Sequence, residues 1–472
     1  MNAARLPALP AQRVDAAGTA HVDLRAVARL AAPLMATNAV QALLNLTDLW
    51  FIGRLSTDAV AAMGAIYWIM TCAILLFGGV GLAVQTFVAQ AHGSRRGARA
   101  SRALWNALWA SLALIPVFIA LAFAGPWMLQ PFGLEPGVEQ LALEYWTPRM
   151  CGAFIGSMGW AAMGFFNGIS AIRFTLIVVV TTTITNAIAN QVLMFELGMG
   201  MKGAAWGTNL AQVVGVAVAL ALFLRGEVGR RYKSALMWRP TWSVVRAQLA
   251  VGLPIGVMYG ADVLGLALSQ LMIAQTGATG AAATQIVMAL TSLAYMPTIG
   301  IALAGTTLVG QSIGAGDRDW ANRIGNVVIA LCAAQMAFVA VLLLVAGPWV
   351  LPWFVSSGGP SAADVVELGL VLLWPAAAYQ IFDGLYCGAG FALRGAGDTR
   401  VPAATALVLS WFLFVPLAHT LIFAPGQGWI DGLPQHGLGA MGGWIALAIY
   451  VVLLGGAIWW RWRSGVWKTL RI

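Results

Sequence analysis

The stretch Gln90-Ala-His-Gly93 recurs as Gln311-Ser-Ile-Gly314, 221 positions further along the chain. Other pairs at the same spacing are Pro33 with Pro254 and Ala61-Ala62 with Ala282-Ala283. Later pairs lie slightly further apart: Asn167-Gly168 with Arg394-Gly395 at 227, and Gly200/Gly203 with Gly439/Gly442 at 239. A spacing that holds and then grows slowly indicates a duplicated unit with small insertions. Duplicated halves are typical of secondary transporters, in which the two halves rock against each other around a central site.

The composition around this repeat is that of a membrane protein. Hydrophobic residues make up 60% of the 472 residues and charged residues 9%, whereas a soluble domain carries about a quarter charged residues. A membrane-spanning helix needs about 20 apolar residues. The sequence predicts twelve such spans, six in each half, at about 28–52, 59–90, 103–130, 141–166, 174–197, 203–224, 247–276, 279–311, 323–355, 365–393, 401–424 and 437–460.

Because each half has an even number of spans, both halves have the same orientation in the membrane. The predicted fold is therefore an all-α integral membrane protein, with two six-helix lobes related by a parallel pseudo-two-fold repeat. A basic stretch between the halves marks the boundary. The predicted units are a cytoplasmic N-terminal tail (1–27), an N-lobe (28–224), a cytoplasmic linker (225–246), a C-lobe (247–460) and a cytoplasmic C-terminal tail (461–472). The first 25 residues lack the apolar core of a signal peptide, and we expect them to be disordered.

The basic residues predict the orientation. Of the 26 lysines and arginines, 23 fall on the side of the termini and linker, and Arg54, Arg149 and Lys202 fall on the other. Positive residues stay in the cytoplasm, so we predict a plasma (inner) membrane protein with both termini cytoplasmic. The net charge of +9 could suggest nucleic-acid binding, but the sequence has no soluble domain to display a basic surface. We expect membrane lipid as a partner, no nucleic acid, and a monomer.

Several motifs that would suggest an enzyme do not fit this context. Two stretches match the pattern GxGxxG, at 198–203 and 437–442, but a dinucleotide site needs a preceding strand and a βαβ unit. We interpret both as tight turns with close helix packing. No Gly-Lys pair occurs, so no Walker A loop is present, and the histidines and cysteines lack metal-ligand spacing. We expect no enzyme activity and no cofactor, so an ion gradient would have to supply the energy for uphill transport.

Most of the 17 acids lie in loops, tails or the edges of predicted spans, and three lie within spans: Asp48, Asp262 and Asp383. A charge at membrane depth costs about 2.5–3.5 kcal/mol, and such residues are functional candidates by default. Tyr259 lies on the same helical face as Asp262, and Asp383 is flanked by Tyr379 and Tyr386. An acid among aromatic rings suits an organic cation or a proton. We predict a C-lobe site for the coupling ion or the substrate; the alternative for each acid is a structural pairing with a hydroxyl.

The N-lobe offers a second group of polar side chains. Asp48 lies near the outer end of span 1, where Arg54 is an alternative partner. Asn186 and Asn190 lie one turn apart in span 5, and Thr208 lies near the start of span 6. The two amides either hydrogen-bond a neighbouring helix or supply oxygens to a cation with a carboxylate.

The chain resembles the multidrug and toxic compound extrusion (MATE) transporters from about Arg29 to span 12. The matching motifs are Asp48-Leu-Trp-Phe-Ile-Gly-Arg-Leu55, Val251-Gly-Leu-Pro254, Val309-Gly-Gln-Ser-Ile-Gly-Ala-Gly-Asp317 and Leu393-Arg-Gly-Ala-Gly-Asp-Thr-Arg400. The resemblance implies two lobes in a V and cation-driven export. It also implies an N-lobe ion site, which here would consist of Asp48, Asn186, Asn190 and Thr208.

The NorM-like branch of that family also has acids in helices 7 and 10, which Asp262 and Asp383 match, although the branch usually has glutamate in helix 7. We therefore expect a multidrug efflux antiporter, coupled to Na⁺ or H⁺, that exports organic cations by alternating access. Na⁺ would bind at Asp48 or at Asp262 and Asp383. The alternative is a flippase for lipid-linked oligosaccharides, but such flippases have cationic cavities, whereas the deep charges here are acidic.

Overall fold

Long apolar helices make up most of the computed structural model, which describes residues 9–16, 18–130, 133–354 and 362–470. The helices of the first half are α1 (Leu24–Gly53), α2 (Thr57–Gly93), α3 (Gly97–Ala113), α4 (Ile115–Phe123), α5 (Gly125–Leu129), α6 (Pro136–Cys151), α7 (Ala153–Gly168), α8 (Ile172–Asn190) and α9 (Gly200–Leu224). The linker contains α10 (Gly226–Tyr232) and a 3₁₀ turn (Ser234–Leu236).

The helices of the second half are α11 (Trp242–Thr276), α12 (Ala278–Gly314), α13 (Arg318–Val350), α14 (Ala362–Ala396), α15 (Arg400–Leu409), α16 (Val415–Ile422) and α17 (Gly439–Arg463). Two π-helical segments interrupt this pattern, one in each half. Gln191–Glu196 continues α8, and Ser410–Phe414 joins α15 to α16. Short 3₁₀ turns follow α13 (Leu351–Phe354) and α17 (Val466–Thr469).

The predicted all-α membrane fold is confirmed. Within the described residues, eleven helical segments are long and apolar enough to cross a membrane, and they match eleven of the twelve predicted spans. The remaining prediction, 141–166, falls on α6 and α7, which meet at Gly152. A side chain at Gly152 would collide with Asn209 of α9, so glycine lets the junction pack against that helix.

The outer surface suits lipid. Large apolar side chains are strongly exposed, among them Trp353 (83%), Phe412 (80%) and Trp127 (76%). Soluble proteins rarely expose such side chains in wide contiguous patches. The surface therefore agrees with a chain that is surrounded by hydrocarbon.

The two GxGxxG stretches serve as turns, as predicted. Gly200 and Gly439 both have φ of +54°, a left-handed backbone conformation that favours glycine. Side chains at Gly203 and Gly442 would collide with the backbone at Leu193 and Leu421. In each half the motif therefore starts the last span and lets it pack closely on the preceding one.

Each lobe has its own apolar core, and the lobes meet at one end of the molecule. Gly79 of α2 packs against the backbone of Gly252 and Gly256 in α11. Gly93, at the end of α2, packs against the backbone of Gln311 in α12. We call this the basic end, because the loops 94–96, 315–317 and 397–399, the linker and both termini lie there, and these segments contain or adjoin most of the basic residues.

The prediction of a disordered N-terminal tail was wrong for the part that the structure describes. Strands β1 (Gln12–Val14) and β2 (Ala20–Val22) form an antiparallel hairpin. The hairpin packs on α13 of the C-lobe: Trp320 Nε1 donates to Pro10 O at 2.9 Å, and Arg323 Nη1 donates to Ala20 O at 3.3 Å. The first eight residues of the tail and the last two of the chain lie outside the described residues.

Candidate functional site

The four predicted N-lobe residues lie together. Asn190 Nδ2 donates to Asp48 Oδ1 at 2.6 Å, and Thr208 Oγ1 lies 3.4 Å from Asp48 Oδ2. Asn186 closes the group: its Oδ1 accepts from Asn190 Nδ2 at 3.4 Å, and its Nδ2 donates to Thr208 Oγ1 at 3.4 Å. Both asparagines are fully buried. Helices α1, α8 and α9 thus bring one carboxylate, two amides and one hydroxyl into a single network.

The alternative partner of Asp48 is engaged elsewhere. The guanidinium of Arg54 lies 5.0 Å from the ring centres of both Trp50 and Phe195. Among the described residues, Arg54 forms no ion pair with Asp48. The carboxylate is therefore bonded by uncharged donors.

Sequence reasoning missed a cation next to this network. The charge count assigned Arg149 to the outer side, but Arg149 lies inside α6 and is only 7% exposed. Its Nη1 donates to Asn209 Oδ1 at 3.1 Å and lies 3.5 Å from Gln212 Oε1. The guanidinium is close enough to Asp48 to attract its carboxylate. Arg149 lies within the predicted span 141–166, but the charge count treated it only as a basic residue on one side of the membrane and not as a neighbour of Asp48.

The C-lobe acids are surrounded by tyrosines. Tyr450 Oη donates to Asp262 Oδ1 at 2.5 Å, and Tyr386 Oη donates to Asp262 Oδ2 at 3.1 Å. Asp383 is near enough to interact electrostatically with Asp262. Among the described residues, no hydrogen bond reaches the Asp383 carboxylate. The site is thus a pair of acids, of which one has two phenol donors.

Two other predicted C-lobe tyrosines have different surroundings. Tyr379 stacks on Trp444, with ring centres 6.4 Å apart, and lies near Asp383. Tyr259 faces a cavity that Tyr386 and Arg394 also line, and it makes no hydrogen bond to Asp262 among the described residues. Tyr450 was missed because one tyrosine in an apolar span has no distinctive pattern.

Both acid sites lie next to a π-helical segment. In the N-lobe, the segment that starts at Gln191 directly follows Asn190. In the C-lobe, Ser410 begins the other segment and donates to Ala261 O at 3.2 Å, beside Asp262. Single π-helical turns inside α-helices occur frequently at functional sites. The sequence contains no pattern that predicts them.

The oxygen-bearing side chains of the N-lobe network suit a hard cation rather than a transition metal. The N-lobe offers carboxylate, amide and hydroxyl oxygens, which are ligands for hard cations. In the described part of the chain, no group of three His, Cys, Asp or Glu residues could hold a metal ion. Asn190 Oδ1 is buried and has no hydrogen-bond partner within the described residues, so one acceptor in the network remains available to a cation.

Comparison with known proteins finds relatives over most of the chain. The family model MatE matches residues 33–192 and 254–420. The chain is 31% identical over 444 residues to the multidrug resistance protein NorM of Burkholderia vietnamiensis, with 92% of each chain covered. It is 30% identical over 441 residues to the probable multidrug resistance protein NorM of Bradyrhizobium diazoefficiens, again with 92% of each covered.

Solved structures show the same fold. One is described as the outward-facing conformation of a multidrug resistance MATE family transporter of the MOP superfamily; it matches with a TM-score of 0.79 at 19% identity, over 94% of this chain and 96% of the other. Another, described as MATE in the bent conformation, matches with a TM-score of 0.80 at 20% identity over the same shares of the two chains.

Proposed function

Since the chain belongs to the MatE family and is a multidrug efflux transporter, we propose that inward movement of Na⁺ or H⁺ drives its export of organic cations. The observation that carries this proposal is the buried network around Asp48, in which the carboxylate is bonded by amide and hydroxyl groups. The flippase alternative is not retained, because the curated relatives are multidrug resistance proteins and the deep carboxylates suit cations.

In this proposal, Asp48, Asn186, Asn190 and Thr208 hold the coupling ion. Na⁺ would take oxygens from all four side chains in place of part of its hydration shell. A proton would instead bind Asp48, with the amides as hydrogen-bond partners. Either ion neutralises the carboxylate, and a neutral site crosses hydrocarbon at a lower cost than a charged one.

The C-lobe acids provide a second cation site, for the substrate or for a second coupling ion. Asp262 and Asp383 supply negative charge, and Tyr259, Tyr379 and Tyr386 supply aromatic surface. An organic cation gains both Coulombic and cation–π attraction in such surroundings. In this proposal the protein works as a monomer without a cofactor, with membrane lipid around it and no nucleic acid as partner.

We place the basic end in the cytoplasm of an inner membrane, because 23 of 26 basic residues lie on the side of the termini and linker. Cysteines at two exposed positions, Ala235 in the linker and Asp431 in the loop before α17, test this orientation in a background without the partly exposed Cys151. An impermeant thiol reagent on intact cells should label Asp431→Cys and spare Ala235→Cys. The opposite pattern would reverse the orientation.

Efflux of ethidium from membrane vesicles tests the coupling. A sodium gradient and a pH gradient are imposed separately, in either case with the other held flat. We expect sodium to drive export, because the pattern of three acids is NorM-like. Export driven by the pH gradient alone would assign the proton instead, and export independent of both gradients would overturn cation coupling.

A further inference from the structure

The residues that reveal the sequence repeat also join the two lobes at the basic end. Gln90 Nε2, in the N-lobe, donates to Gly395 O in the C-lobe at 3.1 Å. Gln311 Nε2, in the C-lobe, donates to Gly168 O in the N-lobe at 2.9 Å. Gln90 and Gln311 are equivalent in the repeat, and so are Gly168 and Gly395. The two hydrogen bonds are therefore related by the pseudo-two-fold axis.

A second pair of hydrogen bonds repeats this arrangement one turn earlier. Thr86 Oγ1 donates to Arg394 O at 2.8 Å, and Thr307 Oγ1 donates to Asn167 O at 3.1 Å. The donors are 221 positions apart and the acceptors 227, as in the repeat. These four hydrogen bonds, from side chains of one lobe to backbone carbonyls of the other, are thus symmetric.

The side chains at one equivalent position break this symmetry. Asn167 Oδ1 accepts from Thr175 Oγ1 at 2.7 Å, inside its own lobe. Arg394 instead extends across the interface, where its Nη2 donates to Leu82 O of α2. Arg394 is 6% exposed. A buried guanidinium thus bonds the opposite lobe on one side of the closure, and an asparagine that stays in its own lobe occupies the other side.

The same guanidinium reaches the surroundings of the C-lobe acids. Arg394 lines a cavity together with Tyr259 and Tyr386, and Tyr386 Oη donates to Asp262. Within the described part of the chain, Arg394 Nε has no hydrogen-bond partner. One side chain therefore lies between the lobe interface and a tyrosine that bonds the acid.

We propose that Arg394 is the positioning residue that couples cation binding at Asp262 to opening of the basic end. While Asp262 is charged, it holds Tyr386 in the cavity wall, and the guanidinium keeps its bond to Leu82 O. A cation on Asp262 takes over the carboxylate oxygens, Tyr386 is released, and the guanidinium leaves Leu82 O. The claim that Arg394 holds the basic end closed rests only on the contacts described above. The claim that a cation on Asp262 releases this closure rests on the proposed function of the C-lobe site.

Thiol labelling from the basic side measures the closure directly. Ala304 is fully buried between α1 and α12, beside Ala31 and Leu34, so a cysteine there reacts only when the basic end opens. The experiment uses the full chain with its four native cysteines replaced, in inside-out vesicles. We expect Arg394→Asn to raise the labelling rate of Ala304→Cys at least about fivefold, the scale of a typical coupling between sites.

The matched control is Asn167→Ala at the equivalent position, which removes only a contact within one lobe and should leave the rate within about twofold of the parent. Arg394→Lys keeps the charge without the fork of donors, and its rate should lie between those of the parent and Arg394→Asn. It also serves as the test if Arg394→Asn does not reach the membrane. Parent-like labelling in both arginine variants, or an equal rise in Asn167→Ala, would overturn the closure.

A second measurement separates the coupling from the proposed function. In the parent, the coupling ion identified by ethidium efflux should raise the labelling rate, and in Arg394→Asn the rate should be high and independent of that ion. If ions drive efflux but leave labelling in the parent unchanged, the coupling through Arg394 is overturned while the transport function holds. If no ion drives efflux, the proposed function fails, and the rise in Arg394→Asn still tests the closure.

Discussion

The two acid sites are built differently, although the lobes that carry them are repeats. In the N-lobe a single carboxylate, Asp48, is bonded by an amide and a hydroxyl, with a buried arginine nearby. In the C-lobe two carboxylates lie together, and two phenols donate to one of them. The first site has a positive charge near its single carboxylate, whereas the second concentrates negative charge.

The repeat explains why the sites differ. The position 221 residues after Asp48 is Ser269, and the position 221 residues before Asp262 is Gln41. Neither acid therefore has an acidic counterpart in the other lobe. What the repeat retains is the backbone packing at the basic end, which two lobes need in order to close together. The chemistry of each lobe is separate and can be altered separately.

The largest effect is expected at the acid pair. Asp262→Asn or Asp383→Asn removes a charge with little change of shape, and either should lower ethidium export about tenfold or more, since 1.4 kcal/mol of lost stabilisation corresponds to a factor of ten. Export is measured against the abundance of the protein in the membrane. Asp364→Asn, at an exposed position of α14, the helix of Asp383, is the control. Near-normal export by both variants would make the pair structural.

The N-lobe network should respond as one unit. Asp48→Asn and Asn190→Ala should each weaken ion-dependent efflux about tenfold, and the double variant should lose little more, because residues in contact are not additive. The ion dependence of efflux is measured for both single variants and the pair. Defects that multiply, with an unchanged ion dependence, would show that the two residues do not share a site.

Arg149 distinguishes the two sites further. Its positive charge should oppose the binding of a cation near Asp48, so Arg149→Gln should lower the concentration of coupling ion needed for half-maximal export, by about fivefold on the scale of a partly buried charge interaction. Arg149→Lys keeps the charge and should lie closer to the parent. A variant that loses export equally at all ion concentrations would point to a packing role instead.

The smallest effect is expected from single phenols. Tyr386→Phe or Tyr450→Phe leaves Asp262 with one donor, so the carboxylate should hold a cation more tightly. We expect the half-saturating cation concentration to fall about two- to threefold, less than the full worth of a charged hydrogen bond. Each tyrosine change is also combined with Asn190→Ala in the N-lobe. The effects of the two changes on export should then multiply, because the two sites are separate. Coupled responses would contradict the separation of the lobes.

The sequence predicted features that leave a long or chemically costly pattern. Spans need about 20 apolar residues, and an acid such as Asp383 is conspicuous inside one. The helix pairing that joins Asp48 to Asn190 came from the resemblance, because no spacing relates residues so distant in the chain. The tertiary fold alone revealed the burial of Arg149, the role of Tyr450 and the N-terminal hairpin.

The N-terminal hairpin also links the two lobes through a very short connection. Its strands pack on α13 of the C-lobe, yet only Asp23 lies between the end of β2 and the start of α1 in the N-lobe. One residue spans at most about 3.6 Å, so the junction has almost no slack. Val27 of α1 also packs in the C-lobe core, so a wider parting of the lobes at this end must either detach the hairpin and the start of α1 from the C-lobe or bend α1. A fluorescent dye attached at the exposed position of Arg13 would therefore report movement of the hairpin during each transport cycle, away from both acid sites.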